Sequence, residues 1–424
     1  MVAEVGQIVC VRQAKAWGVE QMSQKSAVIW GAGRIGRGYV ADLFDAAGYR
    51  ITLVGRSPEL MARLQSAGSY TIANVNKAGQ RRDRVITGYT ALATAQADEL
   101  SEAVAAAEIV VVAVFPRDFS AVVKQLASGL LRRRAERPGA ALDILLCTNL
   151  VGAVPRFQSL LLQALPPEAQ AYAAERIGVV GTLVMRGVVE PPPGVHEEDP
   201  LLVWTDGFGE FPVDRHAFKG DIPQIPDLRL VDDMNAEETR KLYTYNMFHA
   251  ALAYLGARRG YTLIADCMAD PWVRGDVEGA LHEVSQALGA KYGVSDEDTA
   301  RWTGKVLIRM DNPALGDRVA RVGADPRRKL RRDDRLVGPA LVAREHGIPP
   351  LHLARAIAAA LWFENPADPG ALYVRERIAA AGLPAAVREL CELAAAEGAL
   401  AALIEEAYRD LTIDENTELE HTHV

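Results

Sequence analysis

The sequence predicts an α/β protein in two parts: a doubly wound half built on a parallel sheet, followed by a mainly α-helical half. Three observations predict it. A short apolar run, Ser26–Trp30, enters a glycine-rich turn, Gly31-Ala32-Gly33-Arg34-Ile35-Gly36, and leaves it as a helical pattern that ends at Gly48. Val-, Ile- and Ala-rich runs then recur between amphipathic stretches, as parallel strands covered on both faces do. From about Asp232 the strand signals stop, and Ala- and Leu-rich helical periodicity takes over.

Taken in order, residues 1–25 lack the basic region, apolar run and cleavage site of a signal peptide, and are expected to be an N-terminal extension. Strands are expected at Ser26–Trp30, Arg50–Val54, Glu108–Phe115, Leu142–Cys147 and Ile177–Gly181. Helices are expected at Ser57–Ala67, Asp98–Ala106, Phe119–Arg134 and Pro155–Leu165. Pro191-Pro192-Pro193-Gly194 can continue neither a helix nor a central strand. It sets the expected boundary between a first domain, 26–193, and a second, 194–413, with Leu201–Thr205 as one further strand. Residues 414–424 read as a polar, frayed tail, in which His421 and His423 are tail residues rather than ligands.

Bulk properties exclude several classes. A chain of 424 residues with 49% hydrophobic and 24% charged residues has an ordinary globular composition and room for two cores. The formal net charge of -8 gives no reason to expect nucleic acid as a partner. No apolar run approaches the roughly 20 residues needed to span a bilayer. Cys10, Cys147, Cys267 and Cys391 are scattered without a C-x-x-C pair, which implies reduced thiols and a cytoplasmic protein. No long coiled-coil pattern argues against a monomer or small homo-oligomer.

Strand, glycine turn, helix and second strand within about 30 residues form the context a dinucleotide fingerprint requires; the bland alternative is a tight helix cap in another α/β protein. In the dinucleotide reading, this is a Rossmann-type domain whose cofactor contacts come from Gly31, Gly33, Arg34, Ile35 and Gly36. Gly31 permits the turn, Gly33 leaves room for a pyrophosphate, and Gly36 lets helix and strand pack closely. After the second strand, an NAD-specific domain would carry an acid for the ribose hydroxyls, yet the chain reads Val54-Gly55-Arg56-Ser57. Arg56 can attract a 2′-phosphate and Ser57 can donate to it, so the expected cofactor is NAD(P), leaning to NADP or dual use. The alternative is an Arg56 that is merely exposed.

The helical half holds the most informative segment, Asn235–Gly256, with Asn235 and Glu238 as a cap and Gly256 as a stop. With Lys241 at zero on an α-helix, Asn246 falls at about 140° and His249 at about 80°, so all three share one side. Lys241 alone reads as a solvated lysine, and His249 alone as a satisfied core histidine. An amine, an amide and an imidazole together beside a partly buried face need partners that a substrate can supply. No H-E-x-x-H or other ligand cluster is present, so no metal is expected. The basic group Arg321, Arg328, Lys329 and Arg335 surrounds a Pro-containing turn and reads either as a phosphate site or as a solvated loop.

These motifs resemble the long-chain mannitol dehydrogenase family, and most closely its mannitol-1-phosphate 5-dehydrogenase branch. The resemblance rests on G-A-G-R-I-G-R-G, C-T-N at Cys147–Asn149, F-K-G at Phe218–Gly220, K-L-Y-T-Y-N-M-F-H, and R-V-G-A-D-P-R-R-K-L at Arg321–Leu330. It covers Ser26 to about Phe363 and implies a metal-independent oxidoreductase that moves a hydride between NAD(P) and a polyol or polyol phosphate. By that resemblance Lys241 is the general base, Asn149 and Asn246 hold the developing alkoxide, and His249 hydrogen-bonds the substrate. The late basic motif implies mannitol 1-phosphate and fructose 6-phosphate, with an unphosphorylated polyol or a sugar acid as the alternative. One departure bears on this choice: Val184-Met185-Arg186 stands where the family shows V-D-R, and Met185 cannot accept a hydrogen bond from a sugar hydroxyl. Outside enzyme chemistry, the competing reading is a nucleotide-binding regulatory protein on the same scaffold.

Overall fold

The computed structural model describes residues 25–148, 152–192 and 194–421, with side chains described as far as Leu411, that of Arg309 excepted. Its strands, in chain order, are β1 (Ser26–Trp30), β2 (Arg50–Gly55), β3 (Ser69–Val75), β4 (Arg81–Thr87), β5 (Thr90–Ala93) and β6 (Ile109–Val112). They continue with β7 (Leu142–Leu146), β8 (Ile177–Gly181), β9 (Val188–Val189), β10 (Val203–Thr205), β11 (Phe211–Asp214) and β12 (Leu228–Val231). One sheet is parallel throughout, in the order β5-β2-β1-β6-β7-β8. β1 sits at its centre because it is apolar on both faces: Ala27 and Ile29 enter one packed layer, Val28 and Trp30 the other. This is the doubly wound order, reversing direction at β1 and β6, where such folds bind dinucleotides.

A second sheet runs β4-β3-β10-β9, with β10 parallel to β3. The Pro191–Gly194 run therefore falls between two neighbouring strands of one sheet, β9 and β10. β11 and β12 pair beyond it, Val213 bridges Thr182, and Phe211 and Val213 join the same apolar layer as Ile29. Helices take over at Met234. The half built on sheets thus draws on residues well past Gly194, because the long-range partners of β10 and β11 lie in the first 182 residues.

The helical half packs around the helix Met247–Arg258, buried from Ala250 to Gly256 on every side. A helix apolar all round belongs in a core, and this one contacts Ile264–Ala269, Pro271–Tyr292, Val319–Gly323 and Leu351–Trp362. Two local expectations are corrected. The cap is Asp233, whose side chain accepts from Ala236 N at 3.0 Å, not Asn235. Gly256 does not stop the helix; a Cβ there would lie 2.0 Å from Cys267 Sγ, so glycine serves close helix packing, and the turn comes at Gly260 with φ +77°. A third correction is at the end, where the backbone stays helical from Gly398 to His421 instead of fraying at Asp414. His423 lies outside the described residues. Among the described residues Cys147, Cys267 and Cys391 are buried and unpaired, and no helix is long and apolar enough to cross a membrane.

Candidate active site

The glycine turn has the form its sequence requires. Gly31 adopts φ +112°, and a Cβ there would lie 2.3 Å from Ala113 O. A Cβ on Gly36 would lie 1.9 Å from Gly31 O, so the helix can close on the strand only with glycine at that position. At Gly33 a Cβ would meet nothing within 4 Å. That open backbone is the surface a pyrophosphate needs to approach, so these residues fit a dinucleotide. Ile35 packs against the apolar layer under the sheet, and Arg34 reaches Glu190 at 2.9 Å. Beyond Gly36 the helix widens into a π turn, Gly36–Val40. Arg37 is buried there and folds back to Ala32 O at 3.1 Å and Leu201 O at 2.7 Å, fixing the turn to the second sheet.

At the end of β2, Gly55 is packed under Met61: a Cβ would lie 2.7 Å from Met61 Cε. Arg56 is exposed and its Nη1 lies 3.0 Å from Asp118 Oδ1. Ser57 caps the helix Pro58–Ala67, accepting from Leu60 N at 3.1 Å and donating to Glu59 at 2.8 Å. The hydroxyl expected to serve a cofactor phosphate is thus engaged as a cap.

Lys241 ends the helix Met234–Lys241 and is only 5% exposed. Its Nζ donates to Val184 O at 2.6 Å, the carbonyl just before Met185. A π turn spans the next five residues, Leu242–Asn246. Such a turn holds one residue more than an α-helical turn, which takes about 100° out of the rotation between Lys241 and the helix beyond the turn. Asn246 therefore sits about 40° from Lys241 and His249 about 20° on the other side, a tighter alignment than an unbroken helix gives. Thr244 stabilises the widened turn: its hydroxyl donates to Arg240 O at 2.6 Å and accepts from Trp302 Nε1 at 2.8 Å. The Arg240 guanidinium lies over the Trp302 ring at 4.0 Å. Asn246 is half-buried, and its amide makes no hydrogen bond among the described residues, so it is available to a ligand.

Glu238, one turn before Lys241, accepts from Gly152 N–H and feels the charge of the Lys241 amine. Burial pushes its carboxyl up to about 7, against the opposing pull of that N–H and of Lys241. Asn149 lies outside the described residues. His249 Nε2 lies 3.2 Å from Asp317 Oδ2, and Asp317 also takes Arg321 Nε at 2.6 Å. Although burial opposes it, these two partners hold the Asp317 carboxyl well below the usual range.

The basic cluster is matched by acids, so it is not a group of free cations awaiting a phosphate. Arg328 binds Asp325 at 3.1 Å and Asp334 at 3.0 Å, Arg335 binds Asp334 at 2.8 Å, and Arg321 binds Asp317. Lys329 is buried, donating to Val322 O at 2.7 Å and to Ala324 O. Burial, and then Arg335 and Arg328, push its amine down to about 7. The i,i+4 spacing of Asp317 and Arg321 and the i,i+3 spacing of Asp325 and Arg328 are visible in the sequence and were the signal for this pairing. Lys219 does not approach this region. The Lys219 and Gly220 N–H groups bind buried Asp143 at 2.8 and 3.0 Å, and the Lys219 side chain lines a cavity beside Ile177–Val179, at the opposite end of β8 from Val184. Among the described residues no group of three His, Cys, Asp or Glu is placed to hold a metal ion.

A glycine turn shaped for a dinucleotide at the centre of a doubly wound sheet, followed by a helical half, is the build of an NAD(P)-dependent dehydrogenase. Residues 25–227 match the mannitol dehydrogenase Rossmann domain and residues 233–420 the mannitol dehydrogenase C-terminal domain. The chain belongs to the mannitol dehydrogenase family, whose chemistry is hydride transfer between NAD(P) and a polyol. Among solved structures it is similar to the Pseudomonas fluorescens mannitol 2-dehydrogenase ternary complex with NAD and D-mannitol, at 19% identity, TM-score 0.73, covering 95% of this chain and 94% of that one. It is also similar to a substrate-free D-sorbitol dehydrogenase, at 16% identity, TM-score 0.76, covering 91% and 93%. At these identities the likeness speaks for the fold.

Proposed function

We propose that the protein interconverts an unphosphorylated polyol and its ketose, with Lys241 as the proton-transferring residue. The observation that carries the choice of substrate is the paired state of the basic cluster. Three of its four cations, Arg321, Arg328 and Arg335, already face Asp317, Asp325 and Asp334. A phosphate dianion would have to compete with those carboxylates, whereas polyol hydroxyls can donate to them and accept from the arginines. The resemblance to the complexed mannitol 2-dehydrogenase, named with D-mannitol, supports the same reading.

Bound NAD(P) supplies the hydride acceptor in oxidation and the donor in reduction. The residues of this chain handle the proton. Lys241 in its neutral form takes the proton from the carbinol hydroxyl, held in place by Val184 O. Asn246, one π turn along the same face, donates to the oxygen as it gains negative charge, the kind of donor worth about 3 kcal/mol in a transition state. Glu238, the carboxyl beside Lys241, exchanges that proton onward, and stands in for the acid that Met185 cannot provide. His249 is oriented by Asp317 and offers its other ring nitrogen to a substrate hydroxyl.

A second reading, an anionic substrate such as mannitol 1-phosphate or a sugar acid, is favoured by one observation. Lys329 is buried beside Arg328 and Arg335, and an anion would relieve that repulsion. Steady-state assays on mannitol, sorbitol, mannitol 1-phosphate and a hexonate with both cofactors separate the two. The first reading expects kcat/KM for a free polyol to exceed that for its phosphate by about tenfold or more, the loss incurred by desolvating a charge into an already paired site. A preference for the phosphate or the acid establishes the second.

A further inference from the structure

We propose that Arg56 and Asp118 form an ion-pair latch across the adenosine end of the cofactor groove. Within it, Asp118 restrains the affinity that Arg56 confers for a 2′-phosphate. The proposal rests on the dinucleotide reading of the glycine turn and adds a residue that sets cofactor choice. β2 and β6 flank β1 on opposite sides, with Trp30 aligned to Val54 on one and Val112 on the other. Arg56 lies two residues beyond Val54, and Asp118 ends the short turn Pro116–Asp118 beyond β6. Strands two apart in a sheet are separated by about 10 Å, so the 3.0 Å contact between these side chains bridges the carboxyl end of β1, where the glycine turn begins. A dinucleotide lying along that turn meets the bridge at its adenosine half.

The surroundings are suited to a 2′-phosphate more than to a bare ribose. Position 55 is a glycine, so the ribose-reading acid is absent at the strand end, and the space beside it is taken by the Met61 side chain, whose Cε would lie 2.7 Å from a Cβ there. Ser57 is committed to its helix cap. On the other wall, Phe115 is 67% exposed and Arg117 stacks over its ring at 5.0 Å, a flat cationic platform for a purine. Arg117 makes no ion pair among the described residues. Arg56 is 72% exposed while Asp118 is 19% exposed, so the arginine is the partner free to swing. A 2′-phosphate takes Arg56 from Asp118, gaining a charge-assisted bond but leaving a like-charged carboxylate beside it. A cofactor with a 2′-hydroxyl leaves the latch unaltered.

The test is the dissociation constant of NADPH and of NADH, without substrate, measured calorimetrically on the wild type, Arg56→Ala, Asp118→Asn and the double variant. Asp118→Asn is expected to tighten NADPH about fivefold, the scale of an exposed ion pair, and to change NADH by less than about twofold. Arg56→Ala is expected to weaken NADPH about tenfold, and the double variant to match Arg56→Ala alone, since the effect of Asp118 acts through Arg56. An Asp118→Asn effect that is absent, equal for both cofactors, or undiminished without Arg56 overturns the latch. Failure of the wild type to bind either cofactor overturns the dinucleotide site itself.

Discussion

Glu238 shows how a single side chain links burial to chemistry. Burial favours its neutral form, so the folded protein holds this proton up to about pH 7, whereas an unfolded glutamate releases it at about pH 4.3. Its contribution to stability is therefore complete below the unfolded value and is lost as pH rises through about 7. Glu238→Gln is expected to flatten the decline in melting temperature between about pH 5 and about pH 8. The wild type is expected to gain polyol-oxidation rate as pH rises through about 7, and the same variant to lose that rise, because the exchanging carboxylate is gone. Unchanged profiles in both experiments would remove Glu238 from the proton path. At this scale the sequence was partly legible. Gly31 and Gly36 take the close backbone packing that their places in the motif require. The acids beside Arg328 and Arg335 lie within local reach, at Asp325 and Asp334, whereas the Arg56–Asp118 contact spans 62 residues, a separation at which pattern carries no information.

At the scale of elements, the π turn Leu242–Asn246 is what turns a helix into a site. Helical periodicity alone put Lys241, Asn246 and His249 on one side, and the extra residue draws them closer to one line. The α-helix and the π turn share a sequence pattern, so the difference lies in what accommodates the widened backbone. Here that is the Thr244 hydroxyl, held between Arg240 O and Trp302 Nε1, a residue 58 positions away. Thr244→Val keeps the shape and removes the hydroxyl, leaving a buried indole N–H without its acceptor. A cost of about 2 kcal/mol in chemical denaturation is expected, along with a lower kcat as Asn246 drifts out of line with Lys241. Full stability and full turnover together would show that the turn does not depend on Thr244. The β-strands at the sheet centre were readable because their two apolar faces repeat a plain rule. β3, β4, β5, β9, β11 and β12 were not: β4 is charged and largely exposed, and β5, β9, β11 and β12 span only two to four residues each, too few for a periodic signal.

The whole molecule brings its two halves together at Val184–Arg186. Arg186 is buried, reaching Asp42 at 2.5 Å, Gly38 O at 2.8 Å and Phe208 O at 2.7 Å, which ties this segment to the cofactor helix. Two residues earlier, Val184 O receives the Lys241 amine from the helical half. Met185, between them, enters the apolar core of the helical half. The amine proposed to carry the proton thus comes from one half and the backbone carbonyl that holds it from the other. Further bonds across the halves run from Trp204 Nε1 to Ala314 O at 3.0 Å and from Asn312 to Val75 O at 3.1 Å.

The central claim is that this junction performs hydride transfer from a polyol with Lys241 accepting the proton. Its most direct test is single-turnover reduction of NADP+ or NAD+ by a polyol carrying deuterium on the reacting carbon, in the wild type and in Lys241→Ala. The account predicts deuterium on the nicotinamide of the wild-type product, and a Lys241→Ala rate lower by about two orders of magnitude with cofactor affinity unchanged, the scale of a positioned general base. Near-normal single-turnover rates in Lys241→Ala, or wild-type nicotinamide without the label, would contradict it.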